Sequence, residues 1–130
     1  MCNGNDSLKS LPKYGEIWMC ELASKNNSIQ SGYRPVFILS NNKNNTYAPT
    51  LNIIPLTTKM NKRKLPIHVE LWDYKKYGLN KPSTMLVEQI TTIPIINLVK
   101  CIGSVNDNIV LKKIVEAMSI QFPILMSIYK

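Results

Sequence analysis

Histidine is what this sequence has least of, and acid is scarce beside base. Among its 130 residues there is one histidine, His68, and there are 8 aspartates and glutamates against 16 lysines and arginines. The lone imidazole falls mid-strand on the polar side of "PIHVELW" and reads as a solvated or packed side chain, so paired-imidazole chemistry is not expected. The three cysteines, Cys2, Cys20 and Cys101, are odd in number and far apart. They fit neither a disulfide framework nor a zinc site and read as reduced structural thiols. No His/Cys/Asp grouping has metal-ligand spacing, so no metal and no cofactor is expected. There is no run of 18 apolar residues and no apolar leader in "MCNGNDSLKSLPKY", which argues against a membrane span or secretory signal and for a cytoplasmic protein. Internal repeats and low-complexity tracts are absent too.

What is present is positive charge. A formal net charge of +8 on a chain that is 45% hydrophobic describes one compact basic domain, and the balance favours a polyanionic partner, nucleic acid first. Lys59, Lys62, Arg63 and Lys64 form the densest cluster, in "TTKMNKRKLP". It suits a phosphate track and a solvated loop equally well.

Along the chain, residues 1–13 read as a loose tail, 14–122 as the domain and 123–130 as a second tail. "GEIWMCEL" is a first strand, followed by a long polar loop through Ser28 and Gln30. Arg34 then stands at a stiff loop-to-strand junction, because Pro35 fixes its own φ and pushes Arg34 to extended geometry. "PVFILS" reads as a central strand, "NNKNNTYAPT" as a turn-rich connection, and "LNIIPLTT" as a strand in which Pro55 signals an edge or a bulge. "PIHVELW" alternates cleanly, with Ile67, Val69 and Leu71 on one face. "STMLVEQI" is another short strand, and "IPIINLVK" has room for a helical turn or two before "CIGSV". The end is helical: Leu111, Ile114, Val115, Met118 and Phe122 recur at three- and four-residue steps, with Asn106 or Asp107 as cap and Pro123 as terminator. Short strands, turn signals and one closing helix describe a small bent antiparallel sheet or barrel.

The ordered pieces "GEIWMCEL", "SIQSGYRPVFILSNN", "APTLNIIPLTTK", "LPIHVEL", "LVEQITTI" and "CIGSVND" resemble the toxin ribonucleases of the MazF/PemK family over nearly the whole chain, from Tyr14 to Gln121. The resemblance implies a mainly β fold, a small SH3-like barrel of five to seven antiparallel strands with a C-terminal helix. It implies a homodimer that cuts single-stranded RNA at short sequences without metal, leaving 2′,3′-cyclic phosphate and 5′-hydroxyl ends. It also implies a cognate MazE-like antitoxin whose C-terminal segment lies in the RNA groove. Carried over by position, the essential arginine is Arg34 and the essential threonine Thr57. Ser28 and Gln30 match the serine and glutamine of the first loop, and Glu88 and Gln89 the acid–glutamine pair. Two positions depart from the pattern. Ile29 replaces a glutamate and Thr91 an arginine, and both changes take polar groups from the expected groove, which bears on cutting rate and base choice.

The chemistry is consistent with these residue types. RNA cleaved by its own 2′-hydroxyl needs a proton acceptor and donors for the charge gathering on the phosphorane. Arg34 supplies a planar donor fork that stays charged. Thr57 offers a hydroxyl, with Thr58 on the opposite face, and Glu88 is the one acid near the motifs able to act as base. Two other readings use the same fold. One is a catalytically weak member that binds RNA or antitoxin. The other is a gyrase poison, which would need a tryptophan-containing C-terminal tail where this chain ends "LMSIYK".

Overall fold

A computed structural model describes residues 11–23, 32–59 and 65–127. Seven strands run antiparallel: β1 (Glu16–Leu22), β2 (Gly32–Ile38), β3 (Thr50–Thr57), β4 (His68–Leu71), β5 (Ser83–Leu86), β6 (Thr91–Pro94) and β7 (Leu98–Ser104). The order across the sheet is β4-β5-β3-β2-β1-β7, with β6 paired to β3 beyond β5. With the helix that follows, this is the mainly β architecture the sequence predicts, as one strongly bent seven-stranded sheet.

Alternation along the strands builds two apolar faces. On one side Ile17, Phe37, Ile54, Leu56, Val69 and Met85 pack beneath the C-terminal helix α2 (Asn108–Gln121), which contributes Val110, Ile114 and Ala117. On the other, Trp18, Cys20, Val36, Ile38, Leu51, Ile53 and Ile93 form a second cluster. Each of these large side chains contributes roughly 1.5–3 kcal/mol by leaving water. Helix α2 is capped by Asp107, whose carboxylate accepts the Val110 N–H at 2.8 Å. It ends at Phe122, before Pro123, and a single further turn, Ile124–Ser127, follows. Outward-facing Val115 is 60% exposed, although its spacing placed it with the core stripe.

Several local expectations are corrected. "NNKNNTYAPT" contains a short helix, α1 (Asn42–Tyr47), because Asn41 caps it by accepting the Asn44 N–H at 2.8 Å. Strand β2 starts at Gly32, so Arg34 lies inside a strand, opposite Cys20 of β1, and not in a loop. The extended backbone that Pro35 imposes on its predecessor is compatible with pairing. Pro55 is no edge residue, since β3 is flanked by β2 and by β5 and β6. It meets the bulge alternative: Leu56 faces Met85 and Ile53 faces Thr91, so three steps on β3 are spanned by six on its neighbour. The helical turn within "IPIINLVK" is a 3₁₀ turn, Ile95–Asn97. Cys20 is a free, buried thiol, but Cys101 is disulfide-bonded, contrary to the reduced state expected; spacing along a chain does not measure distance once strands pair.

Candidate active site

Register decides which polar side chains can meet. Val36 faces Pro55 across β2 and β3, the last paired residues at that end; Arg34 lies two residues before Val36 on β2 and Thr57 two residues after Pro55 on β3. Thr57 in turn faces Thr84 of β5, and Thr84 faces Glu70 of β4. Directly opposed residues share a face, so Thr57, Thr84 and Glu70 form one row across β3, β5 and β4, and Arg34 stands opposite Cys20 of β1. The adjacent row contains Leu86 opposite His68.

Glu88 and Gln89 belong to the six-residue excursion between β5 and β6, where Val87–Gln89 form a 3₁₀ turn. The strand regularity that would have set them on opposite faces is therefore absent. The turn brings Glu88 back to β4: its Oε2 lies 3.1 Å from His68 Nε2, and the side chains are 27% and 6% exposed. The second carboxylate oxygen, Oε1, is buried and has no hydrogen-bond partner. Sequence reasoning set His68 apart from the site. The signal that could have found it was the alternation of "PIHVELW", which puts His68 and Glu70 together on the polar side.

Arg34 is half-buried, and Thr57 is 4% exposed. Thr57 Oγ1 accepts the Lys59 N–H at 3.2 Å, which leaves its own O–H to donate. Burial, together with the Glu21 charge, pushes the Cys20 thiol up to about 12; the thiol opposite Arg34 is therefore no nucleophile at neutral pH.

Arg34 also borders a cleft of about 470 Å³ on the other side of the sheet, lined by Tyr33, Thr58, Lys81 and Lys100. Thr58 lines it and Thr57 does not, as strand parity requires. Of the basic cluster, Lys59 is described and exposed, whereas Lys62, Arg63 and Lys64 lie outside the described residues. Ser28, Ile29 and Gln30 lie outside them as well. Thr91 is exposed at the start of β6, opposite Ile53. Among the described residues no three His, Cys, Asp or Glu side chains are grouped as metal ligands would be, and no helix is long and apolar enough to cross a membrane.

The fold is shared with known toxins. A Mycobacterium tuberculosis toxin, MazF-mt6, is 25% identical and superposes with a TM-score of 0.69, covering 83% of this chain and 96% of its own. An endoribonuclease in complex with its cognate antitoxin, from a mycobacterial species, is 23% identical with a TM-score of 0.66, covering 86% and 95%. MazF from Deinococcus radiodurans is 16% identical with a TM-score of 0.72, covering 88% and 98%. Residues 13–122 match the sequence profile of the PemK-like, MazF-like toxins of type II toxin–antitoxin systems, and this chain belongs to that family.

Proposed function

We propose that this protein is a toxin endoribonuclease that cleaves single-stranded RNA without metal, leaving a 2′,3′-cyclic phosphate and a 5′-hydroxyl, and so arrests translation and growth until an antitoxin occupies its groove. The observation that carries the reading is the adjacency of β2 and β3, the strands that hold Arg34 and Thr57, together with the Glu88–His68 contact at 3.1 Å. In-line attack of a 2′-hydroxyl on its neighbouring phosphorus builds negative charge on the non-bridging oxygens. Arg34 meets that charge with a bidentate fork, and the Thr57 hydroxyl adds a donor. Glu88 accepts the 2′-hydroxyl proton as the bond from the 2′-oxygen to phosphorus forms, and as the bond from phosphorus to the 5′-oxygen breaks that oxygen takes a proton from solvent water to leave as the 5′-hydroxyl. One of its oxygens is held by His68 and the other is a buried acceptor with no partner, which is the state of a carboxylate that meets its proton donor only when substrate arrives. His68 is a positioning residue for that carboxylate. Gln89 and the basic residues Lys59, Lys62, Arg63 and Lys64, with Ser28 and Gln30 of the first loop, bind the strand on either side. No cofactor takes part.

The test is incubation of the purified protein with a long single-stranded RNA in excess chelator, with both new ends mapped chemically. Cleavage at a recurring short sequence with cyclic phosphate ends is the expected result. Cleavage abolished by chelator and restored by magnesium or manganese would overturn the metal-independent mechanism.

A further inference from the structure

The cleft beside Arg34 has a floor set by register. Met19 of β1 pairs with Pro35 on one side and with Lys100 of β7 on the other, so these three side chains share a face, and Leu56 extends it. The opposite wall is the loop that follows the 3₁₀ turn Tyr74–Tyr77. Gly78, at φ +79°, lies so close to β7 that an added Cβ would meet the Ile102 carbonyl oxygen at 1.8 Å. Only glycine lets the loop press onto the strand there, and that contact brings Asn80 and Lys81 into the same cleft as Lys100. Arg34, Lys81 and Lys100 thus reach one space from three separate elements, and no carboxylate among the described residues lines it. Lys81 and Lys100 raise the local positive potential of the cleft, and a bound polyanion is attracted to it. Tyr33, 47% exposed, lines the cleft with them. An aromatic surface beside a run of cations suits a single nucleic-acid strand, whose bases stack while its phosphates are neutralised.

We propose that this cleft carries the RNA past the scissile linkage, with Lys81 and Lys100 each holding a flanking phosphate of the strand whose cleaved phosphate lies at Arg34. This inference rests on the ribonuclease reading above. The two lysines act as binding residues and take no part in the chemical step.

The test compares wild type with a Lys81→Gln/Lys100→Gln double variant of the full chain. The probe is a single-stranded RNA oligonucleotide 2′-O-methylated throughout, so that no 2′-hydroxyl is available to attack and binding is read without cutting. At about −0.7 log units per phosphate engaged, the dependence of log K on log salt should flatten by about 1.4 in the double variant. On cleavable RNA, KM should rise with kcat held, as expected for contacts equal in ground and transition states. A Lys112→Gln/Lys113→Gln variant removes the same charge from α2, no residue of which lines the cleft, and should leave the slope unchanged. An unchanged slope in the cleft variant while wild type still cuts RNA overturns the inference and leaves the ribonuclease reading intact. A flattened slope in a protein that binds but never cuts overturns that reading and, with it, the placement of a cleaved phosphate at Arg34, leaving RNA binding by Lys81 and Lys100 as the result. A wild type that does not bind the oligonucleotide overturns both. Lost binding to a poly-glutamate peptide with RNA binding unchanged assigns the cleft to an acidic protein segment and likewise overturns the inference.

Discussion

At the scale of single residues, charge and hydrogen-bond geometry separate roles that composition merges. Arg34 is one of 16 lysines and arginines, yet register sets it opposite the buried Cys20, two residues from Val36. If its value lies in the planar fork, Arg34→Lys keeps the charge and loses the bidentate contact. That variant should lower kcat by about 10²- to 10³-fold, the usual cost of one transition-state donor, with an unchanged circular dichroism spectrum. Near-normal cutting would mean that positive charge alone suffices.

Asp107 is a structural counterpart. It caps α2, accepts the Tyr77 hydroxyl at 2.7 Å and pairs with Lys76 at 3.2 Å. The Tyr77 hydrogen bond first, then the Val110 N–H, holds its carboxyl below the ordinary range, whereas burial foremost, aided by Asp107, pushes the Tyr77 phenol up to about 12. A carboxylate whose pKa is lowered on folding stabilises the native state above its unfolded value, near 3.9, and the benefit is lost as pH falls through the lower native value. Asp107→Asn keeps a capping oxygen but no charge, so its stability should lack this acid-side decline when urea midpoints are compared from about pH 5 downward. Asp107→Ala loses the cap as well, at a cost of about 0.5–2 kcal/mol. Matching pH profiles for wild type and the asparagine variant would show that the charge contributes nothing.

At the scale of elements, close approach of backbones shapes the cleft. Gly103 of β7 sits against the 3₁₀ turn, and a Cβ there would lie 2.0 Å from the Tyr77 carbonyl oxygen. Both partners are main chain, so no rotamer relieves the clash. Gly103→Ala should destabilise by about 1–3 kcal/mol or more, read as a lower urea midpoint at unchanged m-value; an unaltered midpoint would mean the two segments separate freely. Such contacts explain what could and could not be read from sequence. Strands with clean alternation, "PIHVELW" above all, were legible because period-2 burial is local. The final helix was legible for the same reason, with Asp107 one of two caps considered. Helix α1 was hidden because its run of asparagines signals turns more strongly than helix, and only the Asn41 cap tips the balance. The adjacency of the strands that hold Arg34 and Thr57 was beyond reach of either strand alone, since pairing is a property of two strands. Glu88 could be named by family position, but its contact with His68 depends on a six-residue excursion that no local pattern marks.

At the scale of the whole molecule, the unsolved surface is the apolar one. Phe37 is 1% exposed and packs in the cluster beneath α2. The outer side of α2 and the turn beyond it do remain open: Ile109 is 72% exposed, Val115 60%, Ile120 53% and Ile124 70%. Exposed apolar side chains mark candidate interface surface, and the proposed homodimer covers them by two-fold pairing of like surfaces. Light scattering should therefore give twice the chain mass of 14.8 kDa, and Val115→Lys with Ile120→Lys should shift the species toward monomer. On the proposed function, a dimer with a net charge of +8 per chain draws RNA and an acidic antitoxin segment to one basic groove, where the two polyanions exclude each other. Antitoxin should therefore raise the apparent Kd for 2′-O-methyl RNA in proportion to its free concentration, the signature of competition. A saturating antitoxin that leaves RNA affinity unchanged, with both partners migrating on one toxin dimer, would place the antitoxin elsewhere on the surface and make inhibition a matter of altered shape instead of occupancy.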